Sequence, residues 1–337
     1  MDKALVAIVG GESLIGGELR DLLATDSLGV RAKLIGSDPD QETVLTAQGD
    51  EAVVMTALDE GNLVSARVVF LAGSAESGRK AFQILKKLRS TALVVDLTHT
   101  FEDHPEASLR APLAEPQDFV APPGSLAVIA HSAASALALF FRLLHARHPA
   151  ERSVVQVFEP VSERGRAGVE ELQRQTVSML SFKPLPQKVF DAQICFNLLA
   201  RYGSEAPQPL EAVEGRIGRH LATLLAGRIP MPSLRLLQAP VFHGIGFSIW
   251  VEFGEKVAVS SLGRALACKQ VEVRGHDVEP PTVVGAVGQS GLTVGAIQAD
   301  RSHPRAAWFW MVADNFRLAA ENGLAVARPA ILAGGAA

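Results

Sequence analysis

Val9-Gly10-Gly11-Glu12-Ser13-Leu14-Ile15-Gly16 joins a short apolar run to a segment whose leucines recur at helical spacing. A strand, a glycine turn and a helix in this order open a nucleotide-binding βαβ unit. Gly10 suits the tight turn, and Gly16 suits close packing of the helix on the strand. The middle position of the fingerprint is Ser13, and Glu12 beside it brings a negative charge to a site that binds anions. The stretch therefore predicts a Rossmann-type fold and leaves dinucleotide binding open.

The same alternation of strands and helices continues up to about residue 150. Further strands are predicted at 30–35, 52–55, 68–72, 93–97 and 126–130, with helices at 76–88 and 132–147. Strands that alternate with helices indicate a parallel sheet covered on both faces. The first part of the chain is therefore predicted to be an α/β domain.

Beyond residue 150, long strands outnumber helices. Strands are predicted at 154–161, 233–241, 248–253, 282–298 and 308–312, and helices at 166–179, 211–226 and 257–268. This pattern is typical of an α+β domain with an open, largely antiparallel sheet, and an uncovered sheet face commonly packs on a partner subunit. A last helix is predicted at 314–322, followed by an alanine-rich tail that is expected to fray.

Composition excludes several classes of protein. A formal net charge of −4 over 337 residues provides no basic surface for nucleic acid. The two cysteines, Cys195 and Cys268, make neither a disulfide framework nor a zinc motif. No apolar run reaches the roughly 18 residues of a membrane span, and no signal peptide precedes the first strand. We therefore expect a cytoplasmic protein with no metal, membrane or nucleic-acid partner.

The residues after the second predicted strand bear on the choice of cofactor. They are Gly36, Ser37 and Asp38. An acidic residue at this point accepts a hydrogen bond from the ribose 2′-hydroxyl and repels a 2′-phosphate. If a cofactor binds, Asp38 favours NAD over NADP.

Seven segments along nearly the whole chain resemble motifs of the aspartate-semialdehyde dehydrogenase family. In chain order, the family's VGATGxVG, DNSSAFR, IANPNCST, YQAVSGAGxxG, AFNVIP, RVPVxxGHS and VxDNLRKGAALN are similar to residues 9–16, 96–102, 129–136, 158–168, 195–200, 238–246 and 312–322. The resemblance implies a Rossmann-type nucleotide domain over residues 1–133, completed by 314–337. It also implies a second, mixed-sheet domain over 134–313 that serves for substrate binding and dimerisation.

The resemblance also implies that the family's catalytic residues are missing. The family's reaction passes through a covalent adduct on a cysteine at a helix N-terminus, and that position is Ala134. The histidine that moves the proton is replaced by Ile245, and the glutamine that orients the intermediate by Glu159. Gln238 and Glu102 stand where two arginines bind substrate and phosphate. We therefore expect that the protein does not catalyse the family's reaction. We also expect an acidic pocket that does not bind aspartate semialdehyde, aspartyl phosphate or inorganic phosphate.

Cofactor contacts are implied at seven positions, most of them in the glycine turn. They are Gly10, Ser13, Leu14, Ile15, Gly16, Asp38 and Asn315.

Together these features suggest a catalytically degenerate homologue of the dehydrogenase, most like the bacterial Usg-type paralogues. It would form a homodimer, have a binding or regulatory role, and bind NAD weakly or not at all. Two alternatives stay open. One is an oxidoreductase that acts on an unknown aldehyde or acyl substrate through other residues. The other is a scaffold without ligand that forms a heterodimer with an active paralogue.

Overall fold

The chain divides into two compact units. The first comprises Met1–Ala130 with Ala319–Ala337, and the second His131–Leu318. The computed structural model describes residues 3–38, 44–48, 51–115 and 120–333. The first unit ends at residue 130 and not 133, and the second at 318 and not 313, which are small differences from the boundaries inferred from sequence. Within the described residues, no helix combines the length and hydropathy needed to cross a bilayer.

The first unit alternates strands and helices as the sequence predicts. Its elements before residue 131 are β1 (Leu5–Val9), α1 (Leu14–Thr25), β2 (Arg31–Ile35), β3 (Val44–Gln48), β4 (Glu51–Met55), α2 (Glu60–Leu63), β5 (Val68–Leu71), α3 (Ala75–Lys87), β6 (Leu93–Asp96), β7 (Ala107–Arg110) and β8 (Leu126–Ile129).

Six of these strands form one parallel sheet in the order β2-β1-β5-β6-β8-β7, which confirms the predicted Rossmann-type architecture. The strand predicted at 52–55 exists as β4 but lies outside this sheet, because it pairs antiparallel with β3. Strand β7 lies at the sheet edge and was not predicted. Its sequence, Ala-Ser-Leu-Arg, lacks the apolar run of a central strand, since an edge strand is less buried.

The second unit contains most of the longer strands. Its elements are α4 (Ser132–His145), β9 (Ala150–Glu159), a 3₁₀ turn (Val161–Arg164), α5 (Gly165–Leu180), α6 (Leu210–Leu225), β10 (Ser233–Gln238), β11 (Ile245–Phe253), α7 (Val259–Leu266), β12 (Val271–Val273), α8 (Val283–Ala286), β13 (Leu292–Ala299), β14 (Ala306–Ala313) and the start of α9 (Asn315–Leu332).

The second sheet is mixed and has the order β10-β9-β11-β14-β13-β12. The central pairs β9–β11, β11–β14 and β13–β14 are antiparallel, whereas the outer pairs β9–β10 and β12–β13 are parallel. The predicted strand at 282–298 is wrong in its first half. Thr282 accepts a hydrogen bond from the Gly285 N–H and so caps the short helix α8, and the strand begins only at Leu292.

The last helix is longer than predicted. Helix α9 continues from Asn315 to Leu332, although the sequence predicted its end at residue 322. The alanine-rich continuation stays helical because one side of it, including Leu324 and Ile331, is buried in the core of the first unit. Residues 334–337, where a frayed tail is expected, lie outside the described residues.

Both faces of the first sheet are buried, as a doubly wound sheet requires. Val6 and Ile8 of β1 face a cluster that includes α1 and α9. Ala7 and Val9, which alternate with them, face a second cluster that includes α2 and α3. This packing presents the carboxyl ends of the parallel strands and the turns that follow them at one edge of the unit.

Candidate functional site

The side chain of His131 caps the N-terminus of α4. His131 precedes the helix, and its Nδ1 accepts a hydrogen bond from the Ala133 N–H at 3.2 Å. The Ser132 hydroxyl donates to the Asn315 carbonyl oxygen at 2.6 Å. Ala134, the position that the family resemblance assigns to the nucleophile, follows in the same turn and is fully buried. This helix start therefore presents a methyl group, a hydroxyl and an imidazole.

Neither cysteine is part of that turn. Cys195 is buried on the loop between α5 and α6, where its backbone N–H donates to Gln175. Cys268 is exposed after α7 and lies near the Gln270 side chain. Ile245, the position that the family resemblance assigns to the histidine, is fully buried at the start of β11.

A buried ion pair lies at the end of β9. Glu159 is fully buried, and its Oε2 accepts a hydrogen bond from Arg164 Nη2 at 2.8 Å. Arg164 also donates to Gln208 at 3.0 Å and to the Tyr202 hydroxyl at 3.4 Å. The expectation of a simply acidic pocket is therefore wrong here, because Arg164 places a positive charge against Glu159.

Gln238 is engaged with the same cluster. Its Nε2 donates to the Glu159 carbonyl at 2.7 Å, and its Oε1 accepts from the Tyr202 hydroxyl. It also donates to the Ala239 carbonyl at 3.1 Å. The amide of Gln238, the position that the family resemblance assigns to a substrate-binding arginine, is thus fixed by hydrogen bonds inside the unit.

Two carboxylates face the imidazole of His131. Its Nε2 lies 3.6 Å from Glu163 Oε2 and 3.8 Å from Glu159 Oε1. Burial lowers the pKa of His131 to about 3, an effect that His220 and two arginines increase. Burial raises the pKa of Glu159 to about 7 despite the opposing charge of Arg164, and burial also raises the pKa of Glu163. A neutral imidazole therefore faces Glu159, whose carboxyl takes up a proton near neutrality, and Glu163, whose pKa burial also raises.

The spacing of this cluster is compatible with a metal site, but its hydrogen bonds are not. One ligand atom each from His131, Glu159 and Glu163 lies within 4.8 Å of the others. Because Nδ1 of His131 accepts the Ala133 N–H, the neutral ring carries its proton on Nε2, the atom that a metal would need unprotonated. The Arg164 guanidinium beside Glu159 adds a competing cation. The donor set as it stands does not fit a metal ion.

Asn315, one of the expected cofactor contacts, belongs to the second unit and is buried there. Its Oδ1 accepts from the Gly244 N–H at 3.2 Å. Its Nδ2 donates to Glu163 Oε1 at 2.8 Å and to the Ser162 hydroxyl at 3.3 Å. Both ends of the amide are therefore bonded within the second unit, whereas the glycine turn belongs to the first.

The glycine turn in the first unit has the geometry of a dinucleotide fingerprint. Gly10 has φ +86°, and a Cβ there would lie 2.2 Å from the Cα of Gly73. A Cβ on Gly16 would lie 2.2 Å from the Gly10 carbonyl oxygen. Ser13 caps α1, since its Oγ accepts from the Gly16 N–H at 2.9 Å, and Leu14 is the first residue of the helix. Only glycine fits at positions 10 and 16.

Other expected contacts lie on neighbouring turns of the same unit. Ile15 is in the first turn of α1, and Asp38 is exposed after β2. Glu102 lies on the turn after β6, which Asp96 orders by accepting hydrogen bonds from the Thr98 and Phe101 N–H groups. The turn and helix start could hold a pyrophosphate group, because a helix N-terminus favours an anion.

A carboxylate already occupies the end of β2. Glu12 Oε1 accepts a hydrogen bond from the Ser37 N–H at 2.9 Å and another from the Ser37 hydroxyl. A 2′-phosphate of NADP would have to bind where this negative charge lies. The residues present therefore fit the pyrophosphate part of a dinucleotide but do not fit a 2′-phosphate.

This chain matches known proteins along nearly its whole length. Residues 142–318 match the dimerisation domain of semialdehyde dehydrogenases. The chain belongs to the semialdehyde dehydrogenase family. It is 24% identical to an aspartate-semialdehyde dehydrogenase of Rickettsia bellii over 341 residues, which cover 98% of each chain. The solved structure of a probable aspartate-semialdehyde dehydrogenase from Pseudomonas aeruginosa superposes with a TM-score of 0.83 at 29% identity, covering 97% of this chain and 98% of that one.

A USG-1 protein homolog of Pseudomonas aeruginosa is 40% identical over 159 residues. That alignment spans only 47% of this chain and 47% of the relative, so it covers about half the length of each. These matches confirm the resemblance to the aspartate-semialdehyde dehydrogenase family and to its Usg-type members.

The sequence analysis did not identify four residues of the buried cluster. They are His131, Glu163, Arg164 and Tyr202. A signal for two of them exists, because the glycine and alanine of the family motif YQAVSGAG are replaced here by Glu163 and Arg164. An acidic and a basic residue at positions where the motif has glycine and alanine, close to Glu159 at the motif's glutamine position, indicate that the charges around this site differ from those of the motif. Tyr202, on the loop before α6, has no such signal.

Proposed function

We propose that this member of the semialdehyde dehydrogenase family is a non-catalytic, cytoplasmic homodimer with a binding or regulatory role. The observation that carries the proposal is that Ala134 lies in the first turn of α4 and Ile245 at the start of β11. The family resemblance assigns the catalytic thiolate to the first of these positions and the proton carrier to the second. A thioester cannot form without a nucleophile, and loss of the nucleophile alone usually costs several orders of magnitude in rate.

The surroundings of Ala134 support this reading. Glu159, Arg164 and Gln238 use their polar groups on one another and on Tyr202, so the cluster is stabilised without substrate. The family's chemistry instead needs groups held ready for a substrate carboxylate and a covalent intermediate. An internal network of this kind is typical of a structural role.

The deciding experiment is an assay of the purified protein with aspartate semialdehyde, phosphate and either NAD or NADP. We expect no reduction of the nicotinamide above the rate without protein, while an active member of the family turns over under the same conditions. Turnover above a trace would overturn the proposal and favour an oxidoreductase that uses other residues.

The proposal of dimerisation rests on a partly exposed face of the second sheet that carries two tryptophans. Val154, Trp250 and Trp308 are aligned across β9, β11 and β14 and therefore share one face, here called the tryptophan face. Val154 is 41% exposed and Trp308 39% exposed. Exposed aromatic residues of this kind are enriched at interfaces. We propose that two copies of the chain pack through this face.

Sedimentation equilibrium separates the possible assemblies. A dimer mass for the protein alone, lost when Trp308→Lys is introduced, is the expected result. A monomer mass that becomes a dimer only when an active paralogue is co-expressed would instead favour the heterodimeric scaffold.

Weak retention of NAD is the remaining part of the proposal, and it rests on the preserved glycine turn. A thermal-shift screen with NAD and NADP tests it, since a ligand at 100 times its dissociation constant adds about 2.7 kcal/mol of stability. A flat response to both would favour a scaffold without ligand.

A further inference from the structure

We propose that Glu12 is the specificity-determining residue of the first unit, and that its carboxylate excludes nucleotides carrying a 2′-phosphate. The ligand class that the unit admits is then an adenosine nucleotide with free ribose hydroxyls. This inference deepens the nucleotide-binding part of the proposed function, although its test does not depend on NAD binding to the unchanged protein.

The position of Glu12 in the sheet topology is the first argument. Strand β1 pairs with β2 on one side and with β5 on the other, so the strand order reverses there. In open α/β sheets, ligands bind outside the carboxyl ends of the strands at such a reversal. Gly10 follows β1, Ser37 lies two residues beyond the end of β2, and Gly73 follows β5. These three residues belong to the loops that border the crevice.

The three loops are in close contact. A Cβ added to Gly73 would lie 2.7 Å from the Cβ of Ser37 and 3.1 Å from the Cα of Gly10. Ser37 can approach only because Gly73 has no side chain. The Ser37 N–H and hydroxyl are therefore held at the border of the crevice.

The hydrogen bonds are the second argument. A backbone N–H and a hydroxyl of one residue both donate to Glu12 Oε1, and such a converging pair of donors is suited to an anion. In this protein the anion is supplied by the chain itself, 25 residues earlier in the sequence. Asp38, exposed beside Ser37, adds a second acidic group next to the same donors.

The chemistry of the two ribose types is the third argument. A free ribose hydroxyl can donate a hydrogen bond to a carboxylate, as it does to the acidic residue of NAD-binding folds. A 2′-phosphate instead brings negative charge against Glu12 and competes with it for Ser37. Like charges placed together weaken recognition, and we expect a loss of affinity of about tenfold or more.

The test uses two commercial probes that differ only in the group concerned, ADP and 2′,5′-ADP, titrated calorimetrically into the whole protein. The unchanged protein should bind 2′,5′-ADP at least about tenfold more weakly than ADP. Glu12→Gln removes the charge and keeps the shape, and Glu12→Ala also frees the Ser37 donors. Affinity for 2′,5′-ADP should therefore rise in the order unchanged protein, E12Q, E12A.

Two further variants serve as controls. Glu18→Gln removes the same charge from α1 without altering the bond to Ser37, and it should leave the ratio of the two affinities unchanged. The double variant E12A/S37A lacks the hydroxyl donor and should lose much of the gain seen in E12A. Equal melting temperatures would show that all variants are folded.

The outcomes are distinguishable. Binding of 2′,5′-ADP to the unchanged protein as tightly as ADP would overturn the inference, and so would failure of E12A to bind 2′,5′-ADP. If the unchanged protein binds neither probe but E12A binds 2′,5′-ADP, the inference stands and the NAD-binding part of the proposed function fails.

Discussion

Arg164 donates through Nη2 to the fully buried carboxylate of Glu159 at a distance of 2.8 Å. In the family motif YQAVSGAG these two positions carry alanine and glutamine, so neither charge belongs to that motif. A charge buried without a partner is strongly destabilising, whereas a paired one is tolerated. The two substitutions therefore depend on each other.

Replacing Arg164 tests whether the buried Glu159 depends on its partner for stability. Arg164→Met leaves Glu159 buried without its counter-charge, and we expect the free energy of unfolding to fall by about 3–5 kcal/mol at pH 8. Equilibrium urea denaturation measures the loss. Arg174→Met is a suitable control, because Arg174 pairs with Glu170 on an exposed helix surface and such pairs contribute about 0.3–0.5 kcal/mol. A double variant, E159Q/R164M, should recover much of the loss, and equal losses in single and double variants would contradict the pairing.

The raised pKa of Glu159 predicts a pH dependence of stability. The folded state binds the proton of this carboxyl more tightly than the unfolded state does, so the stability it contributes is present below pH 4.5 and is lost as pH rises through about 7. The glutamine side chain of the Glu159→Gln variant does not titrate. The free energy of unfolding of this variant, relative to the unchanged protein, should therefore rise between pH 5 and pH 8 by an amount on the order of 2 kcal/mol. A difference that stays constant over this range would show that Glu159 titrates normally.

His131 should have the opposite effect. Its pKa is lowered to about 3 by burial, so its contribution to stability is present above pH 6.5 and is lost as pH falls toward 3. His131→Asn retains an acceptor that can cap α4 and removes the titrating ring. Relative to the unchanged protein, this variant should become progressively more stable as the solution is acidified below pH 6.5. The urea midpoint measured at pH 4, 5 and 7 checks the trend, and an unchanged difference across these three values would refute it.

Restoring two family residues should not restore catalysis. The double variant Ala134→Cys with Ile245→His supplies a thiol and an imidazole, but Gln238 and Glu102 remain at the positions that the family resemblance assigns to the substrate-binding arginines. We expect no turnover of aspartate semialdehyde above the background rate. Ala134 is fully buried, so the larger side chain costs about 1–3 kcal/mol, and near-UV circular dichroism must confirm that the variant is folded. Measurable turnover would show that the thiol and the imidazole are the only missing parts.

The glycine turn should tolerate no side chain. Gly10→Ala places a methyl group 2.2 Å from the backbone of Gly73 at φ +86°, and we expect a loss of more than about 2 kcal/mol. Gly218→Ala is the matched control, because a Cβ at Gly218 in α6 meets nothing within 4 Å and should stabilise the helix by about 0.5–1 kcal/mol. Thermal denaturation of both variants is the measurement. A Gly10→Ala variant as stable as the unchanged protein would contradict the tight turn.

Local sequence patterns predicted the strands and helices whose buried residues form a clear apolar pattern. They missed features that depend on contacts between residues far apart in the sequence. The parallel strands β1, β5 and β6 are continuous apolar runs because both of their faces are covered. Strands β7 and β3 have weaker patterns and were not predicted, and the pattern of β4 predicted a strand but not its antiparallel pairing with β3. The end of α9 was misplaced because the core of the first unit, not helix propensity alone, keeps its alanine-rich half ordered.

The candidate site was predictable only in part. Motif positions led directly to Ala134 and Ile245, because the family resemblance assigns the cysteine and the histidine to these positions. They did not show that Arg164 reaches Glu159, because a side chain five positions away along a strand end and a 3₁₀ turn has no fixed direction. The bond between Glu12 and Ser37 joins residues 25 positions apart, and only the closing of the sheet brings them together.

Helix α9 has a consequence for the order in which the chain acquires structure during synthesis. The first unit comprises residues up to Ala130 and then, after the whole second unit, Ala319 onward. Ala320, Val326 and Ala327 are fully or almost fully buried in its core, so that core is incomplete until they have left the ribosome. One face of the nascent Rossmann sheet therefore remains partly uncovered while the second unit is translated. Chaperone contact during that interval should be with the N-terminal half of the chain, even though it is made first.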